Sequence, residues 1–204
     1  MNKTKRRIFT TAIKLFAEKG YENTGIEEIT AVAGVAKGSL YYHFETKEEL
    51  FDMLLEEGYK LLNNSIEIKS RHCTNALDKL KALLMVQIKS IIKYQDFVTV
   101  IINNTIGETP RTKKCQTAVY EYVGKIKEII DEGIREGIFY DGDAEGIAIG
   151  LFGINFSNIL YRLKHGGDIT PEQIYKSYIE TVVRGITIGD VSVWGQLPPF
   201  GTHL

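Results

Sequence analysis

The chain is poor in the residues that staple or interrupt small folds: it has two cysteines, four prolines and one tryptophan in 204 residues. Cys73 and Cys115 lie far apart with no cysteine near either, so neither a disulfide framework nor a zinc site is indicated, and both read as reduced thiols. Long hydrophobic runs are also missing. The most apolar stretch, 146–156, is too short to span a bilayer and is followed by Ser157, Asn158, Arg162 and Lys164. Met1 to Arg7 run into an amphipathic pattern, not into an apolar segment with a small-residue cleavage site, so no signal peptide is read. A cytoplasmic protein without a membrane role is the expectation. The four histidines, His43, His72, His165 and His203, lack metal-ligand spacing, and no phosphate-cradling glycine loop or partnered nucleophile motif occurs. No metal, no cofactor and no catalysis are expected.

Charge of one sign is lacking overall but not locally. The formal net charge is −1. Up to Lys47, eight basic residues face five acidic ones, a local net charge of +3 on a chain whose remainder carries −4. A basic end on an acidic body suits a protein that meets phosphate with one surface.

What is present is helical periodicity from end to end. Ile8, Ala12, Leu15 and Phe16 mark a first helix ending at Gly20. Thr24 with Glu27 reads as a capping box for a second, carrying Ile26, Ile29, Val32 and Ala33 on one face and ending at Gly34. A short third helix follows in which only Leu40 and Phe44 look buried. Its other residues, Lys37, Gly38, Ser39, Tyr41, Tyr42 and His43, form a face made for contact.

Such a face fits a helix lying in the major groove of DNA. Gly38 lets the helix approach the bases, Ser39 and Tyr41 offer hydroxyls, and Lys37 and Lys47 supply charge for phosphates. Tyr42 and His43 fall where a backbone oxygen would pass. Thr24 and Gly25 can offer a hydroxyl and backbone N–H groups to a phosphate at the start of the second helix.

The segments AIKLFAEKGYENTGIEEIT and AGVAKGSLYYHFETKEELF together resemble the DNA-binding domain of TetR-family transcriptional regulators. The resemblance implies three helices with the third in the groove, then a larger helical domain that binds ligand and dimerises. Ala36 departs from the pattern, since a hydroxyl-bearing cap to the third helix is common in such regulators. Its absence weakens that helix start by about 1 kcal/mol.

The remainder supports an all-α fold of about nine helices: a helix-turn-helix domain over 1–46, a helical ligand-binding and dimerisation domain over 47–190, and an irregular tail over 191–204. Thr46 and Glu49 cap a fourth helix that weakens or ends near Asn63 to Ser65, with the run to His72 a loop or a frayed continuation, and Thr74 caps a fifth with Leu77, Leu80, Leu84, Ile88, Ile91 and Ile92 as its stripe. FVTVIINNTI, at 97–106, would pass for a strand on propensity, but no partner strand is evident and it is read as helix. Thr109-Pro110 opens a long helix ending at Gly137, Asp143 caps an eighth, and Thr170-Pro171 with Gln173 caps a ninth reaching Ile188. Gly146, Gly150 and Gly153 on helix eight, and Ile174, Tyr178, Val182 and Ile186 on helix nine, are the expected homodimer surface.

The resemblance also implies a cavity among helices four to eight. Asn103, Asn104, Tyr120, Phe152, Asn155, Phe156 and Tyr161 are the polar and aromatic residues expected to line it. Their mixture suggests a largely apolar organic effector with one or two hydrogen-bonding groups. The function expected is a repressor that binds a palindromic double-stranded operator as a dimer and is released by a small organic ligand. The alternative is a DNA-binding regulator controlled by a protein partner.

Overall fold

A computed structural model describes residues 2–165 and 170–188; within 144–165 the side chains of Ile159, Arg162, Leu163 and Lys164 are not described. The tail over 191–204, and His203 with it, lies outside the described residues. Nine α-helices follow one another among these residues: α1 Lys3–Lys19, α2 Ile26–Ala33, α3 Lys37–Tyr41, α4 Lys47–Ser70, α5 Ala76–Lys93, α6 Gln95–Asn103, α7 Pro110–Arg135, α8 Ala144–His165 and α9 Pro171–Tyr178. A π-helical turn, Ile179–Val183, and a last α-helical turn, Arg184–Ile186, prolong α9. The all-α expectation holds for these residues, where an isolated antiparallel bridge between Phe139 and Thr187 is the β-type pairing.

Local chemistry explains most of the boundaries. Asn2, Thr46 and Thr109 each accept a backbone N–H at the start of their helices, and Thr170 with Gln173 forms a complete capping box. Pro110 and Pro171 occupy first-turn positions where a missing N–H costs nothing. Three boundaries differ from expectation. Asn75, not Thr74, caps α5 by accepting from Asp78 N. The run past Asn63 stays helical to Ser70, because Ile66 finds a buried place in the core. The start of α2 is Gly25 without any side-chain cap, so the Thr24–Glu27 capping box does not form.

Two cores organise the molecule. One joins α1, α2, α3 and the start of α4 through Ile8, Phe16, Ile29, Leu40, Phe44 and Phe51, and it also takes in Val100 of α6 and Cys115 of α7. The other fills the body with Leu80, Leu84, Ile126, Ile130, Phe139 and Tyr178. The stripe on α9 belongs to the body: Ile174, Tyr178 and Ile186 are buried within the monomer and Val182 is partly buried there. Outward-facing apolar groups lie instead on α8, where Ile149, Ile154 and Tyr161 are exposed and Gly150 and Gly153 have open space beside them.

Close approach is built in at Gly133, where an added Cβ would fall inside the van der Waals surface of the Phe139 ring. Gly133→Ala is expected to lower stability by about 1–3 kcal/mol through overpacking. Gly124→Ala, with nothing within 4 Å of the added carbon, should instead raise it by roughly 0.5–1 kcal/mol. Urea-denaturation midpoints of the two variants check both signs. Burial pushes the Cys115 thiol up to about 11, so iodoacetamide at pH 8 should modify the half-buried Cys73 and spare Cys115 until the fold is opened, as read by mass spectrometry of the peptides.

Candidate functional site: a helix-turn-helix and an apolar cavity

The turn between α2 and α3 is fixed by Gly34, which takes left-handed φ 60°, ψ 44°. Gly34 N donates to Ala31 O and Val35 N to Thr30 O, the pair of bonds that closes a Schellman ending. Arg7 Nη2 donates to Gly34 O at 3.3 Å and so ties α1 to the turn. Only three residues separate α2 from α3. Leu40 and Phe44 are buried as expected and anchor α3 from beneath. With Ala36 lacking a side-chain cap, α3 is short and its helical bounds end at Tyr41, ahead of Phe44.

The face so presented carries Lys37, Gly38, Tyr41 and Tyr42 in solvent, with Ser39 and His43 half-buried. Tyr42 is the most projecting of the large residues there, at 84% exposure. A methyl group added at Gly38 would find nothing within 4 Å, so the surface of α3 is open at that point. Lys37 Nζ pairs with Glu27 Oε1 at 2.6 Å, and this hydrogen bond holds the exposed Glu27 carboxyl below its ordinary value. The pair bridges α2 to α3 in the free protein.

Three residues of this end depart from their expected places. Thr24 is fully buried, and its hydroxyl donates inward to Gly20 O at 2.8 Å and Leu15 O at 3.3 Å, closing the α1–α2 loop instead of facing a phosphate. Lys47 Nζ donates to Tyr21 O and Thr24 O and lies 4.2 Å from the Tyr21 ring centre, so it braces that loop from α4. Val32 is 62% exposed; Thr30 takes the buried place, its hydroxyl satisfied by Glu27 O. Gly25 remains exposed at the start of α2.

A polar latch joins this end to the body. The Arg111 guanidinium, on the first turn of α7, lies 3.8 Å from the Tyr21 ring centre. It donates to Glu22 Oε1 at 2.6 Å and Asn104 Oδ1 at 2.8 Å. Tyr21 in turn donates to Glu48, and Lys114 pairs with Asp52 at 2.6 Å.

A cavity of about 250 Å³ is walled by α1, α4, α5, α6, α7 and α8. Phe9 and Ile13 of α1 stand in its wall together with Leu62, Phe97, Ile101 and Val119. Phe97 reaches this position because Gly58 leaves room for its ring, which would overlap any Cβ there. Of the residues expected to line the cavity, Phe152 and Phe156 do, as parallel rings with centres 5.8 Å apart. Asn155 stands behind the wall, its Nδ2 donating to Oε1 of the lining residue Gln87 at 2.8 Å.

The other four expected lining residues are elsewhere. Asn104 is used by Arg111 and by Val100 O, Asn103 is in solvent, and Tyr120 and Tyr161 are 68% and 66% exposed. The one-turn phase of each helix decides this: Val119 and Tyr122 take the inward positions of α7, which turns Tyr120 out. Sequence reasoning missed Gln87 and Tyr122. Gln87 was visible as a lone amide beside the apolar stripe of α5, whereas Tyr122 had no distinguishing signal. Among the described residues no group of three or more His, Cys, Asp or Glu could hold a metal, and no helix is long and apolar enough to cross a membrane.

These placements separate structural from surface roles. Thr24→Val is expected to lower the urea-unfolding free energy by about 1–2 kcal/mol through lost buried hydrogen bonds. Tyr42→Ala should leave it within about 0.5 kcal/mol of the unsubstituted protein. Equal destabilisation by both would contradict the burial pattern.

Residues 8–54 match the family described as bacterial regulatory proteins, tetR family, and residues 73–186 match the tetracyclin repressor-like C-terminal domain. The chain is 25% identical over 190 residues to the HTH-type transcriptional repressor KstR2 of Mycobacterium tuberculosis, covering 92% of this chain and 94% of that one. The solved KstR2 structure, described as a ketosteroid transcriptional regulator, superposes with a TM-score of 0.78 at 25% identity, over 92% of this chain and 96% of the other. A Clostridium perfringens protein proposed as a fatty acid metabolism regulator gives 0.82 at 27% identity, over 90% and 100% of the two chains. AibR, solved with isovaleryl coenzyme A and operator DNA, shares the fold at a TM-score of 0.75 and 20% identity, over 88% and 98%. With both of its parts matched by the family, the chain belongs to the TetR family of DNA-binding transcriptional regulators.

Proposed function

We propose that the protein is a repressor that binds a palindromic operator as a homodimer and leaves it when a small organic ligand fills the cavity. The observation that carries this reading is the wall shared between cavity and DNA-binding end: Phe9 and Ile13 of α1 line the same space as α4 to α8. A ligand there touches the helix on which α3 is mounted. It shifts the position of α3 by its differential affinity for the two arrangements, and DNA and ligand weaken each other reciprocally.

Lys37, Gly38, Ser39, Tyr41, Tyr42 and His43 form the DNA face in this proposal, with Gly25 beside it. Thr24 and Lys47 act beneath it by holding the α1–α2 loop. The exposed Ile149, Ile154 and Tyr161 and the open Gly150 and Gly153 support α8 as the dimer surface. Two recognition helices then lie about 34 Å apart, one turn of duplex, or a somewhat larger span. The apolar wall, and relatives named for ketosteroid and fatty acid metabolism regulation, support an organic metabolite as effector over a protein partner.

Genomic fragments retained by the purified protein at moderate salt, once sequenced, should be enriched in one short inverted repeat. Unselected DNA would sink the operator reading, and release by a soluble protein but by no small-molecule extract would favour the partner alternative. On that repeat, Lys37→Ala should weaken binding and flatten the dependence of log affinity on log salt by roughly 0.9. Glu27→Gln should strengthen binding at low salt by freeing Lys37 for a phosphate, measured by fluorescence anisotropy. Ile149→Glu with Ile154→Glu should convert a dimer to a monomer in light scattering; an unchanged mass removes α8 as the interface.

A further inference from the structure

We infer that the first turns of α1 form a second DNA-contact surface, in which Lys3, Lys5 and Arg6 hold backbone phosphates along the edge of the groove that α3 enters. This rests on the operator-binding reading above and adds residues to it. The eight cations up to Lys47 fall into two groups. Lys14, Lys19 and Lys37 are paired with Glu18, Glu28 and Glu27, and Lys47 donates to two backbone carbonyls. Lys3, Lys5, Arg6 and Arg7 remain, and among the described residues none of them is ion-paired with an acid. Glu22 is taken by Arg111 of the body, so of the five acids over the same stretch only Glu45 stands outside an ion pair.

Two contacts set these cations beside α3. Arg7 Nη2 donates to Gly34 O at 3.3 Å, in the turn just before α3, and Lys5 Nζ lies 5.3 Å from the centre of the Phe44 ring, just beyond it. The start of α1 therefore runs alongside α3 from one end to the other. Lys3, Arg6 and Arg7 are exposed there and Lys5 is half-buried. A helix lying in the major groove has phosphates on either side of it, and cations on its flank meet them without touching a base. Arg7, holding the turn, acts as the tie that keeps the other three in place.

The same charges work against their own helix. The first turn of α1 holds no acidic residue. Its cations sit where unpaired backbone N–H groups already carry partial positive charge, and they repel one another as well. Folding gains nothing from that placement, whereas an external polyanion relieves both costs. Lys37, held by Glu27, and Lys47, turned inward, are less available for the same task.

The test measures the affinity of the full chain for the selected inverted repeat, and for a scrambled duplex of equal length, by fluorescence anisotropy between about 50 and 200 mM KCl. In the triple variant Lys3→Gln, Lys5→Gln, Arg6→Gln the slope of log affinity on log salt should flatten by about 2.7, or 0.9 for each of three contacts, so this rise in salt weakens the variant about 40-fold less than the unsubstituted protein. Both duplexes should show the change, because phosphates carry no sequence. Arg6→Gln alone should flatten the slope by about 0.9. A urea midpoint no lower than that of the unsubstituted protein shows that the triple variant is folded, since like charges have left the positive end of a helix. The charge-matched control Lys69→Gln, Arg71→Gln, Arg135→Gln, which removes three exposed cations at the far ends of α4 and α7, should leave the slope as it was. An unchanged slope in the triple variant, an equal change in the control, or a loss confined to the inverted repeat overturns the phosphate assignment while leaving operator binding by α3. Failure of the unsubstituted protein to bind either duplex overturns the operator reading itself, and this surface with it.

Discussion

The contact on which the arrangement of the two ends depends is the Arg111 guanidinium lying on the Tyr21 ring. It is only 12% exposed at its side chain, so its charge must be met locally, and Glu22, Glu48 and Asn104 surround it. A buried cation without such partners is strongly destabilising. The same residue therefore fixes the α1–α2 loop, the start of α4 and the start of α7 relative to one another. Lys114 with Asp52, and Lys47 beneath Thr24, extend the latch along α4.

Apolar packing runs parallel to the latch. Val100 and Cys115 belong to the core of the helix-turn-helix, although they lie on α6 and α7 of the body. The boundary placed at residue 46 by the sequence thus divides the chain but not its packing. Because α6 lies against α1 and both contribute to the cavity wall, a ligand acting as proposed above would load the support of α3 directly. Packed interfaces respond to such loads by moving between discrete arrangements, not by smooth deformation.

Much of the architecture was legible in the sequence because it is locally encoded. Thr109-Pro110, Thr170 with Gln173, Thr46 with Glu49 and the positive-φ glycines Gly20, Gly34 and Gly137 punctuate the helices by short-range hydrogen bonds and backbone sterics. Leu40 and Phe44 marked the inner side of α3 for the same reason. The cavity was less legible. Phe152 and Phe156 reached it, but Tyr120 missed it by a fraction of a helical turn, and Asn104, an amide in an apolar helix, is claimed by Arg111.

By itself the sequence determined that the chain forms successive amphipathic helices with a short polar one near the amino terminus, and the residues carrying that pattern identify the family. Periodicity and capping act within a few residues, so one chain read in order contains them. Only tertiary structure decided which polar groups are consumed internally and which are left over. Thr24 and Lys47 look outward in sequence yet bond inward, because Gly20, Tyr21 and Leu15 come to them from α1 and its loop. Gln87, a lone amide beside the apolar stripe of α5, finds its partner in Asn155, 68 residues later on α8. Such assignments depend on contacts between helices distant in the chain, which no local pattern specifies.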